Sequence, residues 1–302
     1  MRFNGLDLNL LVALDALLSE RNLTAAARRI NLSQPAMSAA IGRLRAYFKD
    51  DIFIMNGRKI VLTPLGEALA APTRDILLRV KQAVATRDRF DPAASVRKFR
   101  IVISDFMAII FFSRLLMRVG RVAPGVTFEL VPFGDRPDEL LRLGEIDFLI
   151  FPEIFLSRDF PYVPLFEEDL VCVVCQSNRD IGETLSFGQY MSMGHVAAQF
   201  GPTRKPSIEE WHLLEHGIRR RIDVAVHSFA QIPYMVVNSN RIATMHARLA
   251  RHFAEILPLR ILPLPLPLPR IAEALQWPAL HHHDPANLWL RGEIEGEARA
   301  MM

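Results

Sequence analysis

Gln34, Ser38, Ala39 and Arg43 recur at a spacing that brings them to one face of a helix. A glutamine amide can pair bidentately with the edge of adenine, a serine hydroxyl can reach several bases, and an alanine methyl can meet the thymine methyl. A guanidinium can neutralise a phosphate. Pro35 and Gly42 complete a mostly small face that would approach base edges without steric conflict. Sequence-specific reading of double-stranded DNA is the chemistry these residue types can perform.

Other constellations suggest catalysis and carry it less far. His212, Glu215 and His216 match the H-x-x-E-H spacing of a zinc hydrolase, with both imidazoles on one helical face. The short helix stops at Gly217, a third ligand is not evident, and Arg219, Arg220 and Arg221 would oppose a cation, so a hydrolase is a remote alternative. Cys172 and Cys175 lie inside the apolar run LVCVVC, where strand alternation sends them to opposite faces rather than to a redox pair. His281 to His283 read as a polar loop before a final helix capped by Asp284, with Pro285 at its first position. Glycine-rich phosphate loops and the G-x-S-x-G nucleophile elbow are absent from the sequence, so neither an enzyme nor a metal or cofactor is expected.

The reading face needs a scaffold. Residues 24–30 form a first helix capped by Asn22 or Thr24, with Ala25, Ala26 and Ala27 small enough for close packing, and Asn31 tolerates the positive φ that closes it. Ser33 then caps a second helix with Pro35 in its first turn and a buried stripe of Met37, Ile41, Leu44 and Phe48. Leucines 6, 10, 11, 14, 17 and 18 predict an amphipathic roof helix over residues 6–20. IFIMNGRKIVL reads as a hairpin with Asn56-Gly57 at the turn, a wing that offers Arg58 and Lys59 to the DNA backbone. Thr24, Ser33, Arg45 and Thr63 complete the candidate DNA contacts. Thr63 and Pro64 also open a long helix to about residue 88, kinked at Pro72, whose seam of Leu65, Leu69, Ile76, Val80 and Val84 would pair two copies.

Charge follows this division. Net charge is +3, yet residues 1–63 hold nine Lys/Arg against five Asp/Glu and the remainder 27 against 28, so the basic surplus sits with the two-helix motif. Half the chain is apolar and 23% is charged, which excludes a disordered chain. Two cysteines imply no disulfide framework, and neither a signal peptide nor a membrane-spanning run of ~20 apolar residues is seen, so the cytoplasm is the expected compartment.

Beyond a linker over residues 89–97, strands and helices alternate. KFRIVIS, TFELVPF, IDFLIF, LVCVVC, GHVAAQF, RIDVAVH and RIATMH read as strands, with helices near residues 109–120, 138–143, 208–216, 229–238 and 247–253. This predicts an α/β domain with mostly parallel strands. In such sheets ligands sit beyond the carboxyl ends of strands, which selects Ser104, Asp105 and Phe106, then Pro132, Phe133 and Gly134, and Phe200, Gly201, Pro202 and Thr203. The set suits a flat, mostly apolar, hydroxylated molecule, because few charged groups converge.

LTAAARRINLSQPAMSAAIGRLR resembles the DNA-binding module of LysR-type transcriptional regulators. MRFNGLDLNLLVALDALLSERNLTAAA, RLRAYFKDDIF and QWPALHHHDPANLWLR resemble the branch that controls nodulation genes, so the likeness covers essentially the whole chain. Two departures matter: Ala39 and Ala40 stand where most relatives have Arg-Gln, which shifts base reading toward Gln34, Ser38 and DNA shape, and the turn between the helices lacks a glycine. The resemblance implies a winged helix-turn-helix over residues 1–63 (its two helices within 23–42), a linker helix over 64–88, and a periplasmic-binding-protein-like effector domain. In that domain, residues 98–164 plus 268–302 would form one subdomain and 165–267 the other, crossing near 164–166 and returning near 264–269 through PLPLPLPR. It also implies a homodimer or homotetramer that works with RNA polymerase, activates nodulation genes at nod-box promoters when a plant flavonoid binds, and represses its own gene. A catabolic-operon regulator sensing an aromatic acid is the alternative.

Overall fold

Small residues set how closely the amino-terminal helices approach one another. The computed structural model describes residues 2–3, 5–56, 59–85, 90–134 and 136–302. Two short strands, β1 (Arg2–Phe3) and β2 (Leu6–Asp7), pair antiparallel and lead into α1 (Asn9–Glu20). The roof helix therefore starts at Asn9 rather than Leu6, where the Asp7 carboxylate accepts the Asn9 N–H at 3.1 Å and ends the ribbon. α2 (Leu23–Arg29) is capped by Asn22, whose Oδ1 accepts from the N–H groups of Thr24 and Ala25 at 3.0 Å each. Asn31 takes φ +56°, and Ser33 Oγ accepts from the Ala36 N–H at 3.3 Å to open α3 (Gln34–Phe48). Ala26, Ala27 and Ala40 are buried with Leu14, Leu17, Met37, Ile41 and Leu44 in one core.

The wing is a hairpin of β3 (Phe53–Asn56) and β4 (Lys59–Leu62). Its register pairs Asn56 with Lys59, so Asn56 is the last paired residue of β3 and the connection passes through residues 57 and 58, outside the described residues. α4 (Pro64–Ala85) runs through Pro72. Its inner face differs from the expected seam: Thr73 is buried and Leu69, Ala70 and Leu77 pack on the core of this same unit, whereas Ile76 and Val80 are 43% and 52% exposed. Leu65 is half-buried, and the side chain of Val84 lies outside the described residues. Helical geometry explains the split, since positions 66, 70, 73 and 77 face inward and 76 and 80 lie beside them. Asp15 of α1 ties α2 and α4 down through Arg29 at 3.5 Å and Arg74 at 3.0 Å.

By contacts the chain divides into Met1–Arg89 with Arg142–Gly144 and Phe90–Leu141 with Glu145–Met302. The second unit carries two sheets. In the first, β5 (Lys98–Val102) runs parallel to β6 (Thr127–Val131) and β7 (Phe148–Pro152), while β15 (Ile271–Gln276) lies antiparallel between β7 and β8 (Tyr162–Glu168). In the second, β10 (Gly194–Phe200) runs parallel to β12 (Arg221–Val226) and β13 (Ile242–His246), while β9 (Leu170–Cys175), β14 (Leu259–Leu262) and β11 (Lys205–Pro206) join antiparallel. The sheets are thus mixed, not mostly parallel. β8, β14 and β15 were not legible as strands, because Pro164 interrupts the first and IAEALQ is built from helix formers.

β8 stays in the first sheet to Glu168 and β9 begins the second at Leu170, so the chain crosses at Asp169 rather than at 164–166. It returns between Leu262 and Ile271. Ser104 Oγ accepts the Met107 N–H at 3.1 Å, so helix starts at α5 (Asp105–Met107), not near Ile109, and passes through a π-helical segment (Ala108–Phe112) into α6 (Ser113–Val122). α7 (Pro137–Arg142), α8 (Phe187–Ser192), α9 (Ile208–Glu215), α10 (Ile232–Val236), α11 (Ala247–Ala254) and α12 (Pro285–Ala300) complete the unit. Asp284 caps α12 by accepting the Asn287 N–H at 2.8 Å, and Arg97 clamps Asp284 at 2.7 Å and Asp147 at 3.1 Å.

At Gly66 the backbone of α4 passes so near the wing that a β-carbon would collide with the Ile52 carbonyl. Gly66→Ala is expected to destabilise the amino-terminal unit by ~1–3 kcal/mol, read as a lower urea midpoint; an unchanged midpoint would show that the approach is not tight.

Candidate functional site

α3 turns Gln34, Pro35, Ser38, Ala39, Gly42 and Arg43 to solvent while Met37, Ala40, Ile41 and Leu44 face the core. Thr24 and Ser33 are exposed beside this face, their local groups engaged in capping. Arg43 pairs with Asp7 at 3.6 Å yet keeps 62% of its side chain exposed, a screened contact that a phosphate could displace. Arg45 does not stand beside it. Its Nε donates to the Asp51 carbonyl at 2.7 Å, its Nη2 to the Phe53 carbonyl at 3.0 Å, and its guanidinium lies 4.5 Å from the Phe53 ring. Two carbonyls at the chain reversal need donors, and the planar fork supplies both, so Arg45 braces the wing. Thr63 is also structural: its hydroxyl donates to Asp50 at 2.7 Å and accepts the Gly66 N–H at 3.0 Å. Arg58 lies outside the described residues, as does the side chain of Lys59.

A cavity of about 480 Å³ opens between the two sheets of the second unit. Six rings line it in an unbroken chain: Phe229 to Phe200 at 5.0 Å between centroids, Phe200 to Phe133 at 6.3 Å, Phe133 to Phe151 at 4.6 Å, Phe151 to Phe155 at 5.7 Å, and Phe155 to Trp211 at 5.6 Å. Phe151 lies in β7 and Phe133 and Phe155 follow β6 and β7 of the first sheet, whereas Phe200 ends β10 and Trp211 and Phe229 lie on helical segments beside the second sheet, so the aromatic chain spans the cleft.

Polar groups interrupt these walls, and among the described residues none of them is a buried cation. Gln276 donates from Nε2 to the Ser157 carbonyl at 2.6 Å and the Phe160 carbonyl at 3.2 Å, and its buried Oε1 has no partner. His246 lies flat on Phe106 at 3.9 Å, its Nδ1 is buried without a partner, and burial pushes its pKa down to about 3, so it is neutral. Glu273 is fully buried; desolvation, then the nearby Glu168 carboxylate, push it up to about 8, so it carries a proton at neutral pH. Glu209 is likewise raised by burial and is held by the Ser207 hydroxyl of the cavity wall.

The expected ligand residues divide. Ser104, Phe133, Gly134 and Phe200 line the cavity. Phe106 is fully buried against His246 instead, and Asp105 clasps the opposite sheet: its Oδ2 accepts from Ser228 Oγ at 2.6 Å and the Ala230 N–H at 2.7 Å. Pro132 is exposed outside the cavity. Gly201, Pro202 and Thr203 form the turn between β10 and β11, so it is the returning Lys205 and Pro206 that reach the cavity.

The H-x-x-E-H pair stands on α9, where His216 Nδ1 lies 2.8 Å from the His212 carbonyl and serves the helix end. Among the described residues no three His, Cys, Asp or Glu converge to hold a metal. Cys172 and Cys175 are buried free thiols in β9.

The bacterial regulatory helix-turn-helix model of the lysR family matches residues 8–67, and the LysR substrate binding domain model matches residues 93–299. The chain belongs to the LysR family. Among curated LysR relatives, Nodulation protein D of Bradyrhizobium sp. (strain ANU 289) is 58% identical over 301 residues, covering 100% of this chain and 89% of that protein. Nodulation protein D 1 of Rhizobium tropici is 58% identical over 298 residues, covering 99% and 97%. Among solved structures, a full-length OxyR variant from Pseudomonas aeruginosa superposes with TM-score 0.77 at 19% identity over 98% of this chain and 96% of that one. A probable transcriptional regulator of the same organism gives 0.67 at 26%, over 96% and 97%. The matched LysR substrate-binding region contains the whole aromatic chain.

Phe151, Phe155, Trp211, Phe229, His246, Glu273 and Gln276 went unseen in the sequence. Applied to β7 and β13, the carboxyl-end rule would have found Phe151 and His246. Glu273 and Gln276 offered no such signal, since their strand reads as helix.

The folded-state pKa of Glu273, about 8, lies above its ordinary 4.5, so the stability tied to its proton is complete below pH 4.5 and lost as pH rises through 8. Glu273→Gln removes that titration. Its melting temperature should exceed the wild-type value by a margin that grows from pH 4.5 to 8; a margin independent of pH would contradict the assignment.

Proposed function

We propose that this LysR-family protein is a sequence-specific transcriptional regulator that activates nodulation genes at nod-box promoters when a plant flavonoid occupies the cleft, and that represses its own gene. The observation that carries the reading is the cleft itself. Six aromatic rings accept a flat polycyclic molecule, and the partnerless Gln276 Oε1 and His246 Nδ1 call for a ligand bearing hydroxyls. The 58% identity over nearly the whole chain to proteins named Nodulation protein D supports the choice of target genes.

In this reading Gln34, Ser38 and Ala39 read bases, while Pro35 and Gly42 keep the approach clear. Arg43, Arg58 and Lys59 meet phosphates. Ile76 and Val80, exposed on α4, pair with a second copy, giving a homodimer or homotetramer. A ligand that binds open and closed clefts with different affinity shifts the oligomer between arrangements that space the DNA-reading helices differently, and RNA polymerase responds to the altered promoter. The protein acts in the cytoplasm, uses no metal or cofactor and catalyses no reaction. A regulator of a catabolic operon would take an aromatic acid, which the cleft disfavours, since the lining offers one ammonium, Lys205, on an exposed strand.

Footprinting the purified protein on a nod-box promoter, with and without a flavonoid panel, tests the whole reading: protection should fall on the nod box and change with flavonoid. Equal affinity for promoter and random duplex at moderate salt would sink it. Gln34→Ala should cost ~1–3 kcal/mol at one base position and relax preference there. Unaltered sequence preference in that variant would remove Gln34 from the reading face.

A further inference from the structure

Glu273 stands apart from the other polar groups of the cleft. Ser104 Oγ is spent on a helix cap, the Gln276 amide nitrogen on two carbonyls, and Ser207 on Glu209. Glu273 makes no hydrogen bond or ion pair among the described residues, although it lines both the ligand cavity and a second cavity of about 520 Å³. An unpartnered buried carboxyl is costly to keep in a core, and its position at the boundary of two spaces gives it something to meet.

Its neighbours fix the sign of what it can meet. β8 brings Phe166 opposite it and Glu168 close by, and Glu168 is already held by the Arg248 guanidinium and by the Arg248 N–H at 2.8 Å. β7 brings Pro152 opposite it, followed by Glu153, which accepts from Tyr162 at 2.9 Å. On the cavity side β13 contributes His246, neutral by burial. Arg270 is taken up by Glu167 and Asp169. Arg251 of α11 lines the second cavity with Glu273 and Lys205 lines the first, yet among the described residues no cation pairs with Glu273, so its carboxyl keeps its proton and can donate to a ligand in the aromatic cavity.

We propose that Glu273 selects the inducer's chemical class, donating a hydrogen bond to an acceptor oxygen such as an aryl ketone carbonyl and turning away aryl carboxylates. Beside it, Gln276 Oε1 accepts from a ligand hydroxyl. The site therefore reads a neutral hydroxyaryl ketone, with donor and acceptor complementary to two fixed protein groups. An aryl carboxylate would bring an anion beside Glu273 into a cavity whose described lining offers no buried cation. This inference rests on the cleft being the inducer site.

Titration of the full-length protein with naringenin and with 4-hydroxybenzoate, followed by quenching of tryptophan fluorescence, tests it. Wild type should bind naringenin at least ~10-fold more tightly than 4-hydroxybenzoate, the size of one well-placed hydrogen bond. Glu273→Gln, whose amide still donates, should keep naringenin affinity within ~3-fold at neutral pH. As pH is raised past about 8, wild type should lose naringenin affinity relative to this variant; the ratio cancels the ligand's own ionisation. Glu273→Leu should lose ~10-fold throughout. If the wild-type to Gln ratio is flat across this range and the Leu variant binds like wild type, Glu273 does not read the ligand, though the cleft still does. Failure of wild type to bind naringenin at any pH would overturn both this assignment and the cleft reading, and preference for 4-hydroxybenzoate would favour the aromatic-acid alternative.

Discussion

Carboxylates tie the two sheets of the ligand-binding unit together: Asp105, and from β8 Glu168, which holds Arg248 of α11. Asp105 leaves the first sheet at the amino end of a helix and accepts hydrogen bonds from Ser228 and Ala230 beyond the second. A charged acceptor with two donors is stronger than a neutral pair and is costly to break in a semi-buried place. Next to it, Phe106 stacks on His246, so the residues that hold the sheets together sit directly below the cavity. The cleft is thus a gap between two layers held together by such contacts, with aromatic rings from both layers facing it.

That arrangement also explains the unusual polar content of the floor. β15 returns from the second sheet to lie between β7 and β8, and it carries Glu273 and Gln276 into a region of low dielectric. Burial favours the uncharged form of two groups at the cleft: His246 sheds its proton and Glu273 retains one. Neutral polar groups in an apolar box discriminate by donor and acceptor pattern, which charge would overwhelm.

The amino-terminal unit solves a different problem, that of offering a narrow helix face on a small core. Ala26, Ala27, Ala40 and Gly66 let α1, α2, α3 and α4 approach closely, and longer side chains are kept for the stripe of α3. Arg45 and Thr63 belong to this economy. Both were expected at the DNA, and both satisfy backbone or capping groups where the chain reverses, because an unmet carbonyl or N–H near a core costs more than a surface cation gains. Arg43 and Arg45 sit two residues apart on one helix, and the sequence offers no sign of which one the wing will claim.

Local chemistry was legible because it depends on near neighbours. Asn22, Ser33 and Asp284 announce helix starts through their side chains, Asn31 the left-handed exit, and the stripe of Met37, Ile41 and Leu44 the buried face of α3. From these the two-helix motif, the wing and the capped final helix could be written down from the sequence alone. What only the tertiary structure decided was everything set by partners distant in the chain: that IAEALQ is a strand, since two flanking strands supply its hydrogen bonds; that Ile76 faces solvent while Leu77 packs half-buried on the core; and that Glu273 meets a cavity without an ion-pair partner. Propensity and periodicity describe a residue's preferences among its neighbours, whereas burial and protonation are fixed by the field of groups that the completed fold brings together.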